Sequence, residues 1–228
     1  MKRNWNETDF HGTRNEYPFT EVVSCIKSSF PNLENRDKIR ILDLGCGGGS
    51  HLLFLAQEGF DYFGIDGNEK ALNRAQALLS KFNFSINNVT LGEITNMVYP
   101  DNFFDFVIDR GTITCNTIDD QNTIFDQIFR TLKLGGRLFT SHLDIISSST
   151  NSGEETSVKG DFVNFKGRLQ DSVLLHYTSP IELMSNLQEN NFEVVELSRT
   201  TKLIEYPLSK APIQSSWITA LAIKNVKS

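Results

Sequence analysis

A glycine-rich segment near residue 45 has the composition of a ligand-binding turn. The run Gly45-Cys46-Gly47-Gly48-Gly49 directly follows a short apolar stretch at 40–44. Glycines permit tight turning with positive φ, and their missing side chains let the backbone approach a ligand closely. The N–H groups at the start of the helix that follows favour electronegative ligand groups. We therefore expect Gly45, Cys46, Gly47 and Gly49 to contact a polar ligand.

An acidic residue follows this loop at an informative distance. Asp66 closes the next apolar stretch, 62–66, and lies 23 positions after Asp43. A carboxylate at the end of the second strand can accept hydrogen bonds from two ribose hydroxyls, and nucleotide-binding folds place such an acid about 20 residues after the glycine loop. A glycine-rich turn alone is more often only a turn, but the loop and the acid in this order predict a nucleoside site.

Three other polar residues close later strands and are candidates for proton or anion chemistry. Asp109 and Arg110 end the fourth predicted strand, and His142 ends the fifth. His142 is the preferred base, Asp109 is a second candidate base, and Arg110 could bind an anionic acceptor group through its planar guanidinium. The alternatives are structural: a hydrogen-bonded packing histidine, an aspartate that caps the strand end, and an arginine ion-paired with Asp109 or a neighbour.

Short strands and amphipathic helices alternate along the chain, which predicts an α/β fold with a mostly parallel sheet and helices on both faces. The predicted sheet edge that carries the site residues is the carboxyl edge, where open α/β sheets bind ligands. We expect one domain over residues 1–228. The predicted strands are 40–44, 62–66, 89–91, 104–109, 137–140, 193–197 and 217–223. The first predicted helix has its apolar face at 52–56 and ends near Gly59, and the other predicted helices are 69–82, 123–132 and 180–190.

The motifs together resemble those of class I methyltransferases that depend on S-adenosylmethionine (SAM). Residues 41–49, Ile-Leu-Asp-Leu-Gly-Cys-Gly-Gly-Gly, resemble the first motif of this family, and the acid Asp43 inside the strand separates them from nicotinamide-binding sequences. Residues 64–68 resemble the second motif, 92–94 an adenine-contacting segment, 101–109 the motif around the fourth strand, and 134–138 the turn before the fifth.

The resemblance implies a Rossmann-like, seven-stranded sheet whose last strand is antiparallel, and SAM as the cofactor. It implies a cofactor-binding set made of the glycine loop, the ribose-binding acid with its neighbours, an adenine-contacting pair and the acids of the first and fourth strands. This set comprises Asp43, Gly45, Cys46, Gly47, Gly49, Asp66, Gly67, Asn68, Glu93, Ile94 and Asp109.

Two further segments are predicted to cover the site. Residues 1–36 resemble the N-terminal lid or entry helix of small-molecule methyltransferases. Arg14 within them could pair with the methionine carboxylate of SAM, and the alternative is a solvated surface charge. Residues 147–169 are predicted to be an inserted loop that could form an acceptor lid, because long loops in compact domains are often functional. A solvated insertion is the alternative.

Composition narrows the choice of substrate. The net charge is −6, and basic residues do not cluster, so nucleic acid is an unlikely partner. The three cysteines lack zinc-site spacing, so no metal is predicted. The absence of an export signal or an apolar span favours a cytoplasmic protein without membrane contact.

The expected function is transfer of the SAM methyl group to a small-molecule acceptor at oxygen or nitrogen. The alternatives are a protein or RNA methyltransferase and a non-catalytic SAM-binding module.

Overall fold

The computed structural model describes residues 17–170, 172–205 and 212–225. Five helices and ten strands lie in these ranges. The helices are α1 (Thr20–Ser29), α2 (Ser50–Gln57), α3 (Glu69–Lys81), α4 (Ile118–Thr131) and α5 (Pro180–Glu189). The strands are β1 (Arg40–Leu44), β2 (Asp61–Asp66), β3 (Val89–Leu91), β4 (Phe104–Arg110), β5 (Leu132–Asp144), β6 (Glu154–Glu155), β7 (Asp161–Val163), β8 (Leu175–Thr178), β9 (Phe192–Ile204) and β10 (Ile213–Lys224).

Seven of these strands form the main sheet, in the order β3-β2-β1-β4-β5-β10-β9. The first five are parallel to one another, whereas β10 is antiparallel to both β5 and β9. The predicted α/β class, the mostly parallel sheet and the antiparallel last strand are confirmed. Because β1 and β4 are adjacent and parallel, Leu44 lies opposite Asp109, and the loops that follow both strands meet at one edge.

Helices cover both faces of the sheet because successive residues of a buried strand point to opposite sides. In β1, Ile41 packs in a cluster with residues of α1 and α2, while Leu42 packs in a cluster with residues of α4 and α5. The helix α3 packs against α2 on the first face. The polar cap residues Asn68 and Thr117 accept backbone hydrogen bonds at the starts of α3 and α4 and so fix where these helices begin.

The helix α1 lies in the segment that was expected to be a lid or entry helix. Its residues Val22 and Ile26 are fully buried and pack with Phe54, Phe106 and Phe139. This part of the N-terminal segment is therefore a core element of the α2 face. Residues 1–16 of the expected lid, including Arg14, lie outside the described residues.

The predicted inserted loop at 147–169 contains regular structure. Two short strands, β6 and β7, pair with each other, and β7 pairs with β8 as an antiparallel ribbon. The pairing of β8 with β5 joins this ribbon to the main sheet through Leu143–Tyr177 and Asp144–Thr178. The sequence did not predict these strands because the segment is mostly polar and they are only two and three residues long; their few apolar residues, such as Phe162, belong to a small cluster that packs against Leu143 of β5.

Three features differ from the predictions or add to them. Strand β5 continues past His142 to Asp144 because β10 extends its ladder, with Trp217 opposite Leu143. Helix α4 begins five residues before the predicted start, at Ile118, where Thr117 provides the cap. No helix in the described part of the chain is both long and apolar enough to cross a membrane.

The burial of α1 leads to a stability prediction. Ile26→Ala should lower the free energy of unfolding by about 2–5 kcal/mol, because it removes buried methyl groups and leaves a cavity. Ile181→Ala on α5 is the matched control, since Ile181 is 74% exposed and its truncation should cost little. Urea unfolding of both variants measures the difference, and equal losses would contradict the core role of α1.

Candidate active site

The glycine loop is held in a fixed shape by the end of β2. The backbone N–H groups of Gly45 and Cys46 both donate to the carbonyl of Ile65, at 2.8 and 3.1 Å. Gly45, Gly47 and Gly49 adopt φ values of +67°, +53° and +84°, which side chains disfavour. The loop then passes directly into α2, so its N–H groups lie at the start of that helix.

Two of these glycines are also required by packing. A Cβ atom on Gly45 would lie 2.2 Å from Oγ1 of Thr112, and one on Gly49 would lie 2.9 Å from the backbone of Ala75. At Gly47 and Gly48 a Cβ atom would meet none of the described residues within 4 Å. The middle of the loop therefore faces open space, while its two ends pack closely against the protein.

The Asp66 carboxylate lies beside the loop. It accepts hydrogen bonds from the N–H of Gly47 at 2.8 Å and from the N–H of Asn68 at 2.7 Å. Burial raises the pKa of Asp66, although both hydrogen bonds oppose that shift. Gly67 lies between Asp66 and Asn68, and the Asn68 side chain accepts from the N–H of Ala71 as the cap of α3. The structure thus brings the predicted acid next to the predicted loop.

A buried acid and an imidazole lie on the α2 face next to the loop. Asp43 Oδ1 lies 3.3 Å from Nδ1 of His51, and both side chains are buried. The second carboxylate oxygen of Asp43 is buried and forms no hydrogen bond with the described residues. His51 in turn lies 3.5 Å from the N–H of Phe19, which precedes α1. Asp43 therefore helps hold α1 and α2 together.

The predicted adenine-contacting pair begins a short 3₁₀ turn after β3. Glu93 is exposed, whereas Ile94 is 6% exposed and packs into the cluster on the α4 face. Of the two side chains, Glu93 is therefore the more open to the outside. A contact between the Ile94 side chain and a ligand would involve the small part of it that is exposed.

Asp109 organises the turn after β4. Its Oδ1 accepts from the N–H groups of Thr112 and Ile113, at 2.9 and 3.1 Å, and its Oδ2 accepts from the Thr140 hydroxyl at 2.6 Å. The side chain is fully buried, and this burial raises its pKa to about 6. The contacts of Asp109 match the strand-end cap that the sequence left open as an alternative.

His142 lies two residues after Thr140 and on the same face of β5. Its Nε2 lies 2.9 Å from Oγ1 of Thr140 and 4.0 Å from Oδ2 of Asp109, and its ring stacks on Phe125 of α4. Burial, reinforced by the charge of His176, lowers the pKa of His142 to about 3, so the imidazole is neutral at neutral pH. Its Nδ1 is buried and forms no hydrogen bond within the described ranges.

Arg110 points to the opposite face of the sheet from Asp109. Its Nε donates to Glu21 of α1 at 2.9 Å, and its guanidinium lies between the rings of Phe19 and Trp217, at 4.0 and 4.1 Å from their centroids. These contacts match the ion-pair alternative with a neighbouring residue and join α1 to β4 and β10. Only 11% of the side chain is exposed.

The structure also reveals residues that the sequence analysis did not single out. A cavity of about 340 Å³ lies between α4, α5 and β8, and both His142 and His176 line it. Thr140 could have been found from its i−2 spacing to His142 on one strand face. Asp161, which contacts His176, gave no such signal because it lies 15 residues away on another strand. No group of three His, Cys, Asp or Glu residues in the described ranges could hold a metal ion.

Comparisons with known proteins identify the family of this chain. A family model described as a methyltransferase domain matches residues 35–207. The protein named putative methyltransferase YqeM from Bacillus subtilis is 29% identical over 170 residues, which cover 69% of this chain and 64% of that protein. This chain therefore spans somewhat less than two thirds of that relative.

Solved structures of methyltransferases have the same fold. A SAM-dependent methyltransferase from Methanosarcina mazei superposes with a TM-score of 0.69 at 20% identity, covering 92% of this chain and all of that one. The 1,6-didemethyltoxoflavin-N1-methyltransferase of Burkholderia thailandensis, solved with 1,6-didemethyltoxoflavin and S-adenosylhomocysteine (SAH), gives 0.58 at 17% identity, covering 90% and 82%. The chain belongs to the methyltransferase domain family and has the fold of the class I SAM-dependent enzymes.

Proposed function

We propose that this protein transfers the methyl group of SAM to the oxygen or nitrogen of a small-molecule acceptor. The observation that carries the proposal is the glycine loop with Asp66 beside it, at the same carboxyl edge of the sheet as a cavity lined by the neutral imidazole of His142. The Burkholderia neighbour, solved with the small molecule 1,6-didemethyltoxoflavin, supports this substrate class. The net charge of −6 argues against a nucleic-acid acceptor.

The residues at the glycine loop fit SAM. The open space at Gly47 and Gly48 leaves room for a ligand against the backbone, and Asp66 offers a carboxylate of the kind that binds ribose hydroxyls. When bound, SAM would supply a methyl group on a positively charged sulfur. The protein must mainly align the acceptor with that methyl group, and alignment alone can contribute about 7–11 kcal/mol.

The hydrogen bonds around His142 assign its tautomer. Thr140 donates its hydroxyl proton to Asp109, so its oxygen is left to accept from His142. His142 therefore carries its proton on Nε2 and presents a bare lone pair at Nδ1. For this nitrogen to take the proton that the acceptor loses on methylation, the cavity must open at Nδ1, which is buried, and the nearby Asp109 carboxylate would then offset part of the cost of the resulting imidazolium.

The first prediction concerns the cofactor. Asp66→Ala should weaken the binding of SAH at least about tenfold, because it removes charge-assisted hydrogen bonds to the ribose. Isothermal titration calorimetry measures the change. Asp61→Ala, at the other end of the same strand, is the control and should leave the affinity within about twofold. If wild-type protein binds no SAH, the proposed function is wrong.

The second prediction concerns the base. His142→Gln should slow methyl transfer by about 10²–10⁴-fold while leaving SAH affinity unchanged, because glutamine cannot take up the proton. Tritium transfer from labelled SAM to a library of metabolites identifies the acceptor, and the variant is assayed on that acceptor. Unchanged turnover would remove His142 from the mechanism. SAH binding without turnover on any compound would indicate the non-catalytic module.

The third prediction concerns the buried acid. The pKa of Asp109 is about 6 in the folded chain, whereas its ordinary value is 3.8, so between these values the folded state binds a proton that the unfolded state does not. Lowering the pH from 7 to 5 should therefore stabilise wild type relative to Asp109→Asn by about 1 kcal/mol. Urea unfolding of both proteins at each pH measures this difference. A difference independent of pH would show that burial does not raise the pKa of Asp109.

A further inference from the structure

The cavity between α4, α5 and β8 is lined by a buried carboxamide whose orientation is fixed. Gln121 of α4 belongs to the lining and is only 1% exposed. Its Nε2 donates to the backbone carbonyl of Asn116 at 3.0 Å. A carbonyl oxygen only accepts hydrogen bonds, so the NH₂ group of Gln121 faces Asn116 and its Oε1 faces the other way.

The oxygen of this carboxamide has an unused acceptor capacity. Oε1 of Gln121 accepts no hydrogen bond from the described residues, and unlike Nδ1 of His142 it is not sealed from solvent. A nearly buried acceptor is costly unless a donor reaches it. Since Gln121 lines the cavity, a molecule in the cavity can supply that donor.

The complementary chemistry, a pair of hydrogen-bond donors, comes from α4 and α5. Asn190 is 8% exposed, and its Nδ2 donates to the backbone carbonyl of Asn186 at 2.9 Å, which fixes the direction of its NH₂ group. The same NH₂ group donates to the side-chain oxygens of Asn186 and Asn122, at 2.7 and 3.3 Å. Both of these side chains line the cavity, and their own NH₂ groups donate to none of the described residues. The lining therefore offers donors as well as an acceptor.

The charges of the lining disfavour an anionic ligand. Lys159, the lysine of the lining, is paired with Glu182, and Glu189 adds a further carboxylate. A simple ammonium is also a poor match, because it has no acceptor for the NH₂ group of Asn186. The cavity volume of about 340 Å³ lies within the range of small-molecule sites, about 300–1,000 Å³. An uncharged small molecule with both a donor and an acceptor fits these features.

The buried carboxamide is also connected to the cofactor loop. Asn116, which accepts from Gln121, donates its own Nδ2 to the carbonyl of Thr112 at 2.9 Å. The Thr112 side chain packs directly against Gly45. Two hydrogen bonds therefore connect the acceptor in the cavity to a residue that contacts the glycine loop.

We propose that this cavity binds an uncharged small molecule that carries an amide group, with an N–H donor for Oε1 of Gln121 and a carbonyl oxygen for the NH₂ group of Asn186. The inference rests on the proposed function in that this molecule would be the methyl acceptor. It is tested by binding alone, so it stands or fails separately from the transfer of the methyl group.

The orientation of Gln121 is measured first. In ¹⁵N-labelled protein, the side-chain NH₂ protons of Gln121 should exchange with solvent more slowly than those of Asn122, because the former are buried and bonded to Asn116 whereas Asn122 is exposed. Equal exchange rates would show that the NH₂ group of Gln121 faces the cavity, and would overturn the proposal.

Ligand binding is measured with three probes that share one ring. Benzamide carries both a donor and a carbonyl, acetophenone has a methyl group in place of the donor, and benzylammonium has donors but no acceptor. The side-chain NH₂ resonances of Gln121 and Asn186 should shift saturably with benzamide, and at least about fivefold less tightly with either other probe. The NH₂ resonance of Asn88, which donates to the Tyr62 carbonyl of β2, should remain unchanged.

The variants assign the two contacts. Gln121→Met removes the acceptor, so the preference for benzamide over acetophenone should fall below about twofold. Asn186→Asp keeps the oxygen that accepts from Asn190 and replaces the donor, so benzamide should bind at least about fivefold more weakly. Ser185→Ala, also in the lining, is the control and should change the affinity less than about twofold.

The outcomes separate this site from the proposed function. No shift with benzamide would indicate a cavity filled by water only, and equal or tighter binding of acetophenone or benzylammonium would also overturn the inference, even if SAH binds normally. Selective benzamide binding by a protein that does not bind SAH would support this site and contradict the proposed function instead.

Discussion

The buried carboxylate of Asp109 is the contact on which the arrangement of the site depends. It accepts hydrogen bonds from two backbone N–H groups of the turn after β4 and from one hydroxyl of β5. The same turn donates the Thr112 hydroxyl to the carbonyl of Leu44, at the end of β1. One side chain therefore fixes the relative positions of the glycine loop, the turn and the histidine strand, and it does so without contacting solvent.

Burial shifts the two ionisable groups in this contact in opposite directions. The pKa of Asp109 is raised to about 6 and that of His142 is lowered to about 3, because a low dielectric disfavours the charged form of either group. Thr140 lies between them and can donate in only one direction. At neutral pH, Asp109 is a carboxylate that accepts three hydrogen bonds. His142 is a neutral imidazole whose Nδ1 forms no hydrogen bond with the described residues.

The sequence predicted the region from β1 to β3 well, because the residue types within each short segment of it determine its local conformation. The glycine loop, Asp66 and the strands 40–44 and 89–91 follow from residue types that few other conformations accommodate. The parts it did not predict depend on contacts between distant segments. Arg110 pairs with Glu21, which lies 89 positions away in the sequence. The short strands β6 and β7 form through pairing of β6 with β7 and of β7 with β8. The spacing of apolar residues within a short stretch of sequence contains no information on such pairings.

The ribbon of β6, β7 and β8 has a consequence for how this fold diversifies. Within the described ranges its strands pair with the main sheet at only two positions, both in β8, and its apolar cluster packs against Leu143 of β5 and Cys115. One wall of the cavity is therefore carried by strands other than the seven that form the main sheet. Substitutions in this wall can change the shape and hydrogen bonding of the cavity without altering the strands that carry the glycine loop.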